Sequence, residues 1–197
     1  HCGSCWAFST CCTCETQYAI STGQLLSYSE QNLVDCVTLS YGCSGGNPRF
    51  AIEYVAWIQF GKFNSEEDYP YTATDGTCSF DSSKGIGHVN SYKSVSYTAS
   101  ETALQEVIAN EGVASVCIDA SESSFQLYTS GVYESSGCST ILLNHAVACV
   151  GYGTLEGKDY WIVRNSWGES WGEAGYVKLL RGSNTCGIAS QAIIATV

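Results

Sequence analysis

The stretch Cys2-Gly3-Ser4-Cys5-Trp6-Ala7-Phe8-Ser9 decides how the rest of this chain is read. No Gly or Pro follows Trp6 until Gly23, and Trp6, Ala7, Phe8, Cys11, Cys14 and Tyr18 recur at helical spacing. A buried helix is therefore predicted to begin near Cys5. Three chemistries use a C-x-x-C pair in such a place. As a redox motif, Cys2 and Cys5 exchange with a substrate disulfide, although a strand usually precedes that motif and only His1 stands before it here. As half of a zinc site, the pair needs Cys11, Cys14 or a histidine, and Cys11 and Cys14 lie along a helix rather than in a knuckle. As a nucleophile, Cys5 occupies the positive end of a helix dipole, a position that favours the thiolate.

A nucleophilic thiol needs a base. Of the three histidines, His145 begins the apolar run His145-Ala146-Val147-Ala148-Cys149-Val150, where a polar ring needs a reason to be. Asn165 follows a second strand-like run, Tyr160-Trp161-Ile162-Val163-Arg164, and an amide there could hydrogen-bond the imidazole and fix its orientation. His88 lies in a Gly-flanked polar stretch and reads as an ordinary surface histidine.

Outward from these residues the chain changes texture. A second helix is predicted from Ser29, whose hydroxyl can cap the first turn, and a third from Asn47-Pro48 through Phe50, Tyr54, Val55 and Ile58. Past Lys93 a helix is expected around Thr102 to Ala109, with Thr98 and Glu101 spaced as a capping box. Short β-branched and aromatic runs then follow at Val113 to Ile118, His145 to Tyr152, Asp159 to Val163 and Tyr176 to Leu179. The expectation is two tightly packed lobes with no long linker. Residues 1–92 are expected to form a mainly helical lobe and 93–197 an antiparallel sheet or barrel, with a C-terminal tail free to return to the first lobe.

Composition narrows the partners. Nineteen Asp plus Glu against eight Lys plus Arg leave a net charge of −11, which argues against nucleic acid or anionic lipid, whose phosphates need clustered cations. Hydrophobic residues are 45% and charged residues 14%, so the chain is not disordered, and no run of about eighteen apolar residues exists to span a membrane. Thirteen Tyr and five Trp, with so few cations, read as core and cleft rather than as a nucleic-acid stacking surface. No Asn-x-Ser/Thr acceptor is present. Twelve Cys fit an oxidising compartment, a metal protein or thiol chemistry. Met is absent, so the chain reads as processed or as a fragment.

Four blocks, in order, carry a family resemblance. They are Cys2-Gly3-Ser4-Cys5-Trp6-Ala7-Phe8-Ser9; Tyr41-Gly42-Cys43-Ser44-Gly45-Gly46; Asn144-His145-Ala146-Val147 with Gly151-Tyr152-Gly153; and Arg164-Asn165-Ser166-Trp167-Gly168. Together they resemble the papain-like cysteine proteases, over essentially the whole chain. The resemblance implies an α+β, two-lobe fold: a helical left lobe, an antiparallel β-barrel right lobe and an active-site cleft between them. It assigns Cys5 as nucleophile, His145 as base and acid, Asn165 as orienter of the ring, Trp167 as a shield over that bond, and the Cys5 N–H as one oxyanion donor. The second donor in the family is a Gln two positions before His1, so an upstream segment is expected.

The resemblance also implies disulfides Cys2–Cys43, Cys36–Cys78 and Cys138–Cys186. It leaves Cys11, Cys12, Cys14, Cys117 and Cys149 as small core fillers, with an extra bridge or ligand role among Cys11, Cys12 and Cys14 as the rival. Gly45 and Gly46 resemble the strip that pairs with an extended peptide. Asn47, Pro48, Cys117, Leu143 and Ala146 would line the pocket for the second residue before the cut, with Gln191 adding a polar group at its floor. Asn144 stands where several relatives have Asp. The stretch from Cys43 to Tyr69 holds no His-rich insertion of the kind that dipeptide-removing relatives carry, so the implied activity is that of an endopeptidase. Its partners would be polypeptide substrates, its own pro-segment and cystatin-like inhibitors. It would act as a monomer in a lysosome, a vacuole or outside the cell, without metal or cofactor. The rival from another class is a catalytically silent relative that binds peptides or serves a structural role.

Overall fold

The computed structural model describes residues 1–197, which divide into a first unit of 1–93 with 195–197 and a second of 94–194. Three helices build the first unit: α1 (Cys5–Thr22), α2 (Glu30–Cys36) and α3 (Pro48–Ile58). Helix α1 packs against both others and ends at Gly23, whose φ of 76° places it in the left-handed region that glycine adopts without strain. The Ser29 hydroxyl accepts the Asn32 N–H at 2.8 Å and caps α2. Asn47 caps α3 through the Arg49 N–H at 2.9 Å, with Pro48 in the first turn. Beneath these helices lie the fully buried Trp6, Leu33, Ile52 and Phe63. A buried amide pair joins α2 to the end of α3: Asn32 Nδ2 donates to Gln59 Oε1 at 2.9 Å and Gln59 Nε2 to Asn32 Oδ1 at 3.2 Å. The C-terminal residues belong to this unit because Asn90 N–H donates to the Thr196 carbonyl at 2.8 Å.

The second unit is a sheet with two helices, α4 (Glu101–Asn110) and the short α5 (Ser123–Gln126). Its strands are β2 (Ala114–Ile118), β3 (Val132–Tyr133), β4 (His145–Leu155), β5 (Lys158–Arg164) and β6 (Tyr176–Leu180). The ends of the unit lie in β1 (Ser91–Ser94) and β7 (Ile193–Thr196). Hydrogen bonding runs β1-β7-β2-β4-β5-β6-β3, and the β2–β4, β2–β7, β4–β5 and β5–β6 pairs are antiparallel while β3 runs parallel to β6. The sheet buries Val116, Ile118, Val147, Trp161, Val163, Val177 and Leu179 on its core side.

Two expectations are corrected here. The barrel is not closed, because closure requires the terminal strands to pair and the sheet ends on β3, two residues long and running parallel to its neighbour. The capping box at Thr98 does not form. Ser100 caps α4 through the Ala103 N–H at 3.1 Å, while Glu101 accepts from Trp161 Nε1 at 2.8 Å and from the Gly182 N–H at 2.9 Å. The indole of the fully buried Trp161 draws Glu101 away from the local cap, since its N–H would otherwise go unpaired.

Candidate active site

Cys5 is the first residue of α1 and half-buried. The chain before it is held rigidly. Cys2 is joined to Cys43, the Gly3 N–H donates to the Cys43 carbonyl at 2.7 Å, and a Cβ on Gly3 would lie 2.8 Å from that carbonyl oxygen. Trp6 is fully buried and its Nε1 donates to the Gly42 carbonyl at 3.1 Å, so the turn after Tyr41 is tied to the same helix. The Cys2–Cys43 disulfide overturns the redox and zinc readings of the first four residues, since Cys2 has no thiolate to offer. Disulfides Cys36–Cys78 in the same unit and Cys138–Cys186 in the second use four more cysteines.

Cys11, Cys12 and Cys14 are buried in the first unit and Cys149 in the second, all outside the three bridges. Burial pushes the Cys11 and Cys14 thiols up, and pushes Cys149 up to about 12. They stay protonated, as small core residues do.

Gly45 and Gly46 follow the Cys43 turn. Gly45 has φ 121°, which disfavours any other residue, and a Cβ on Gly46 would lie 2.5 Å from the Trp6 ring. The glycines therefore keep a bare backbone at this strip. Asn47 spends its side chain on the α3 cap and Pro48 is buried in the first turn.

In the second unit, His145 opens β4 and is buried to 8% exposure. Its Nε2 lies 2.8 Å from Asn165 Oδ1, just past the end of β5. Asn165 Oδ1 also accepts the Ser166 N–H at 2.8 Å, which identifies that atom as the oxygen. An amide oxygen only accepts, so Nε2 must carry the proton and Nδ1 is left as the basic nitrogen. The tautomer thus follows from one backbone amide. Burial holds the imidazole below the ordinary histidine value, and the Asn165 bond offsets part of that effect. Trp167 lies over the pair, its ring centroid 4.9 Å from that of His145. It is braced edge-on by Phe125 at 5.6 Å and Trp171 at 5.3 Å.

Asn144 is anchored on three sides. Its N–H donates to the Ile118 carbonyl at 3.0 Å, its Nδ2 donates to Asp119 Oδ1 at 2.9 Å, and its Oδ1 accepts the Ala120 N–H at 3.0 Å. Asp119 also accepts from the Ser121 hydroxyl at 2.6 Å and the Ser139 N–H at 2.7 Å. The Ser121 hydroxyl first, and the Ser139 and Asn144 donors after it, hold the Asp119 carboxyl at about 2. Sequence reasoning passed over Asp119. The Asp-x-Ser spacing, typical of a side chain that bonds the backbone two residues on, is the signal that could have found it. Phe125 and Trp171 were likewise missed as supports.

Cys117 and Ala146 are cross-strand partners in the β2–β4 ladder, and Leu143 precedes them on the loop into β4. Gln191 is exposed, in the turn before β7, while its neighbour Ala192 enters the core.

The pattern of the papain family cysteine proteases matches residues 1–196. The chain belongs to that family. It is 46% identical over 192 residues to cathepsin K of Mus musculus, covering 97% of this chain and 57% of the relative. Cathepsin S of Bos taurus is 48% identical over 96% of this chain and 57% of its own length, and digestive cysteine proteinase 3 of Homarus americanus is 48% identical over 100% and 61%. Among solved structures, digestive procathepsin L 3 of the Tenebrio molitor larval midgut superposes with a TM-score of 0.93 at 39% identity, covering 100% of this chain and 64% of that one. The papain-family chain therefore spans less than two thirds of the length of these relatives. No helix in it is long and apolar enough to cross a membrane.

Proposed function

We propose that this papain-family chain is the catalytic part of a cysteine endopeptidase that cleaves peptide bonds through a thioester acyl-enzyme. The observation that carries the reading is the His145–Asn165 pair, 2.8 Å apart beneath Trp167, with its tautomer set by the Ser166 N–H. The reading requires Cys5 and His145 to act on one scissile bond. Nδ1 takes the Cys5 proton, the thiolate attacks the carbonyl carbon, and the imidazolium returns that proton to the leaving amine. A water then attacks the thioester with Nδ1 as base and regenerates the thiol. Throughout, Nε2–H stays on the Asn165 oxygen, so the ring does not need to turn between steps. The N-terminal turn of α1 directs its positive end toward the oxyanion as it develops.

Extended peptide would pair with the Gly45–Gly46 backbone. The second residue before the cut would be apolar, against Asn47, Pro48, Cys117, Leu143 and Ala146, with Gln191 adding a polar group at the floor. Asn144 would position His145. Its partners would be polypeptide substrates, a pro-segment and cystatin-like inhibitors, and it would act as a monomer. Three disulfides suit a lysosomal, vacuolar or secreted setting.

The test is alkylation with an epoxysuccinyl or iodoacetamide probe at mildly acidic pH, followed by peptide mapping, alongside hydrolysis of peptides that vary at that second position. Labelling of Cys5 ahead of every other thiol, with peptide turnover, is the expected result. A Cys5 no faster than the buried thiols sinks the reading in favour of a silent peptide-binding protein.

A further inference from the structure

Three carboxyl groups from separate segments of the first unit meet: Glu15 on α1, Glu30 at the start of α2 and Glu66 in the 64–71 segment. The backbone brings the last two together. Tyr28 and Ser65 form an antiparallel bridge, the Ser29 N–H donates to the Asn64 carbonyl at 3.0 Å, and the Glu66 N–H donates to the Ser27 carbonyl at 3.1 Å. Two of the carboxyls have assigned donors. Glu15 Oε1 accepts the Tyr28 N–H at 2.8 Å, and Glu66 Oε1 accepts the Tyr71 N–H at 2.9 Å. Glu66 Oε2, however, is buried with no donor, and the Glu30 carboxyl lies within hydrogen-bonding reach of Glu66. If both were ionised, two acceptors would face each other and the buried Glu66 Oε2 would stay unpaired. A proton on Glu30 makes that group a donor and satisfies the orphaned oxygen.

We propose that Glu30 keeps its proton in the folded protein and donates it to the buried Glu66 oxygen, forming a pH-sensitive latch between α2 and the 64–71 segment that is released as the proton is lost to solvent. The inference does not depend on the peptidase reading. Burial is the largest influence on Glu30 and pushes its carboxyl up to about 8. Its own backbone N–H opposes this, and Glu15 and Glu66 add to the rise. Burial, with a smaller contribution from Glu15, pushes the neighbouring Cys11 and Cys14 thiols and the Tyr28 phenol up as well.

An unperturbed glutamate ionises near 4.5, so between there and about 8 the folded chain holds a proton that the unfolded chain has released. The stabilisation is complete below that window, is lost as pH rises through it and changes no further above it. A one-proton difference multiplies the unfolding constant about tenfold per pH unit.

The experiment is urea unfolding from about pH 5 to about pH 8, on a Cys5→Ala background that cannot digest itself, with and without Glu30→Gln. The parent is expected to carry an extra dependence of about tenfold per pH unit that Glu30→Gln abolishes, since its amide donates to Glu66 at every pH. Glu66→Gln tests the same latch from the other side if Glu30→Gln fails to fold. Isotope-edited infrared spectra at about pH 6 should show a protonated side-chain carboxyl in the parent that is absent from Glu30→Gln. Equal pH dependence in parent and variants, or no protonated carboxyl in the parent, overturns the proposal.

Discussion

The first unit presents Cys5 on the opening turn of an eighteen-residue helix, whereas the second presents His145 as the first residue of an eleven-residue strand. The surroundings differ in the same sense. Around α1 lie two disulfides, the Asn32–Gln59 amide pair and the Glu30–Glu66 carboxyls. Around His145 lie an apolar sheet core, one disulfide and a stack of aromatic rings. On the proposed reading, the contrast follows from what each group would have to do. A thiol becomes reactive when its anion is favoured, and a helix terminus does that through aligned dipoles. An imidazole works in both protonation states, so it needs a fixed tautomer and a fixed plane, which a paired strand and one amide oxygen provide.

The comparison can be broken at its extremes. If the two units supply nucleophile and base, Cys5→Ala should lower peptide turnover by about 10⁴-fold or more, with folding unchanged by circular dichroism. Asn165→Ala should cost about 100-fold in kcat by freeing the ring. It also removes the bond that raises His145, so His145 should titrate lower still, and the pH at which the imidazolium is lost should fall, as read from the alkaline limb of the rate profile. An unchanged limb would mean that Asn165 does not set the ring.

Smaller effects sharpen the contrast in stability. The Cys36–Cys78 bridge spans 42 residues, and its replacement by two alanines should destabilise the first unit by about 4 kcal/mol at most on chain-entropy grounds, measured by urea unfolding. The two serine caps form a matched pair. Ser29 is fully buried and also donates to the Tyr69 carbonyl at 2.6 Å, whereas Ser100 only caps α4. Ser29→Ala should therefore cost about 2 kcal/mol and Ser100→Ala about 1 kcal/mol, and equal losses would contradict the polar-network view of the first unit.

Residues 1–58 were largely legible because their signals are local. Helical spacing after Cys5, Ser29 as a cap and Pro48 in a first turn each act within a few residues. The longer strands were legible for a similar reason, since β-branched and aromatic runs declare themselves. Two-residue β3 and four-residue α5 carry too little periodicity to be seen. Glu101 misled because its partners, Trp161, Gly182 and Asn184, are remote in sequence.

The sequence by itself determined the candidate nucleophile, base and orienter, because each lies in a short motif whose residues are chemically distinctive. Only the tertiary structure decided which nitrogen of His145 is basic, that Asp119 holds Asn144, that Gln191 is exposed and that Glu66 Oε2 lacks a donor. Each depends on which atoms from distant segments come within about 3 Å of one another, a distance that residue order does not encode.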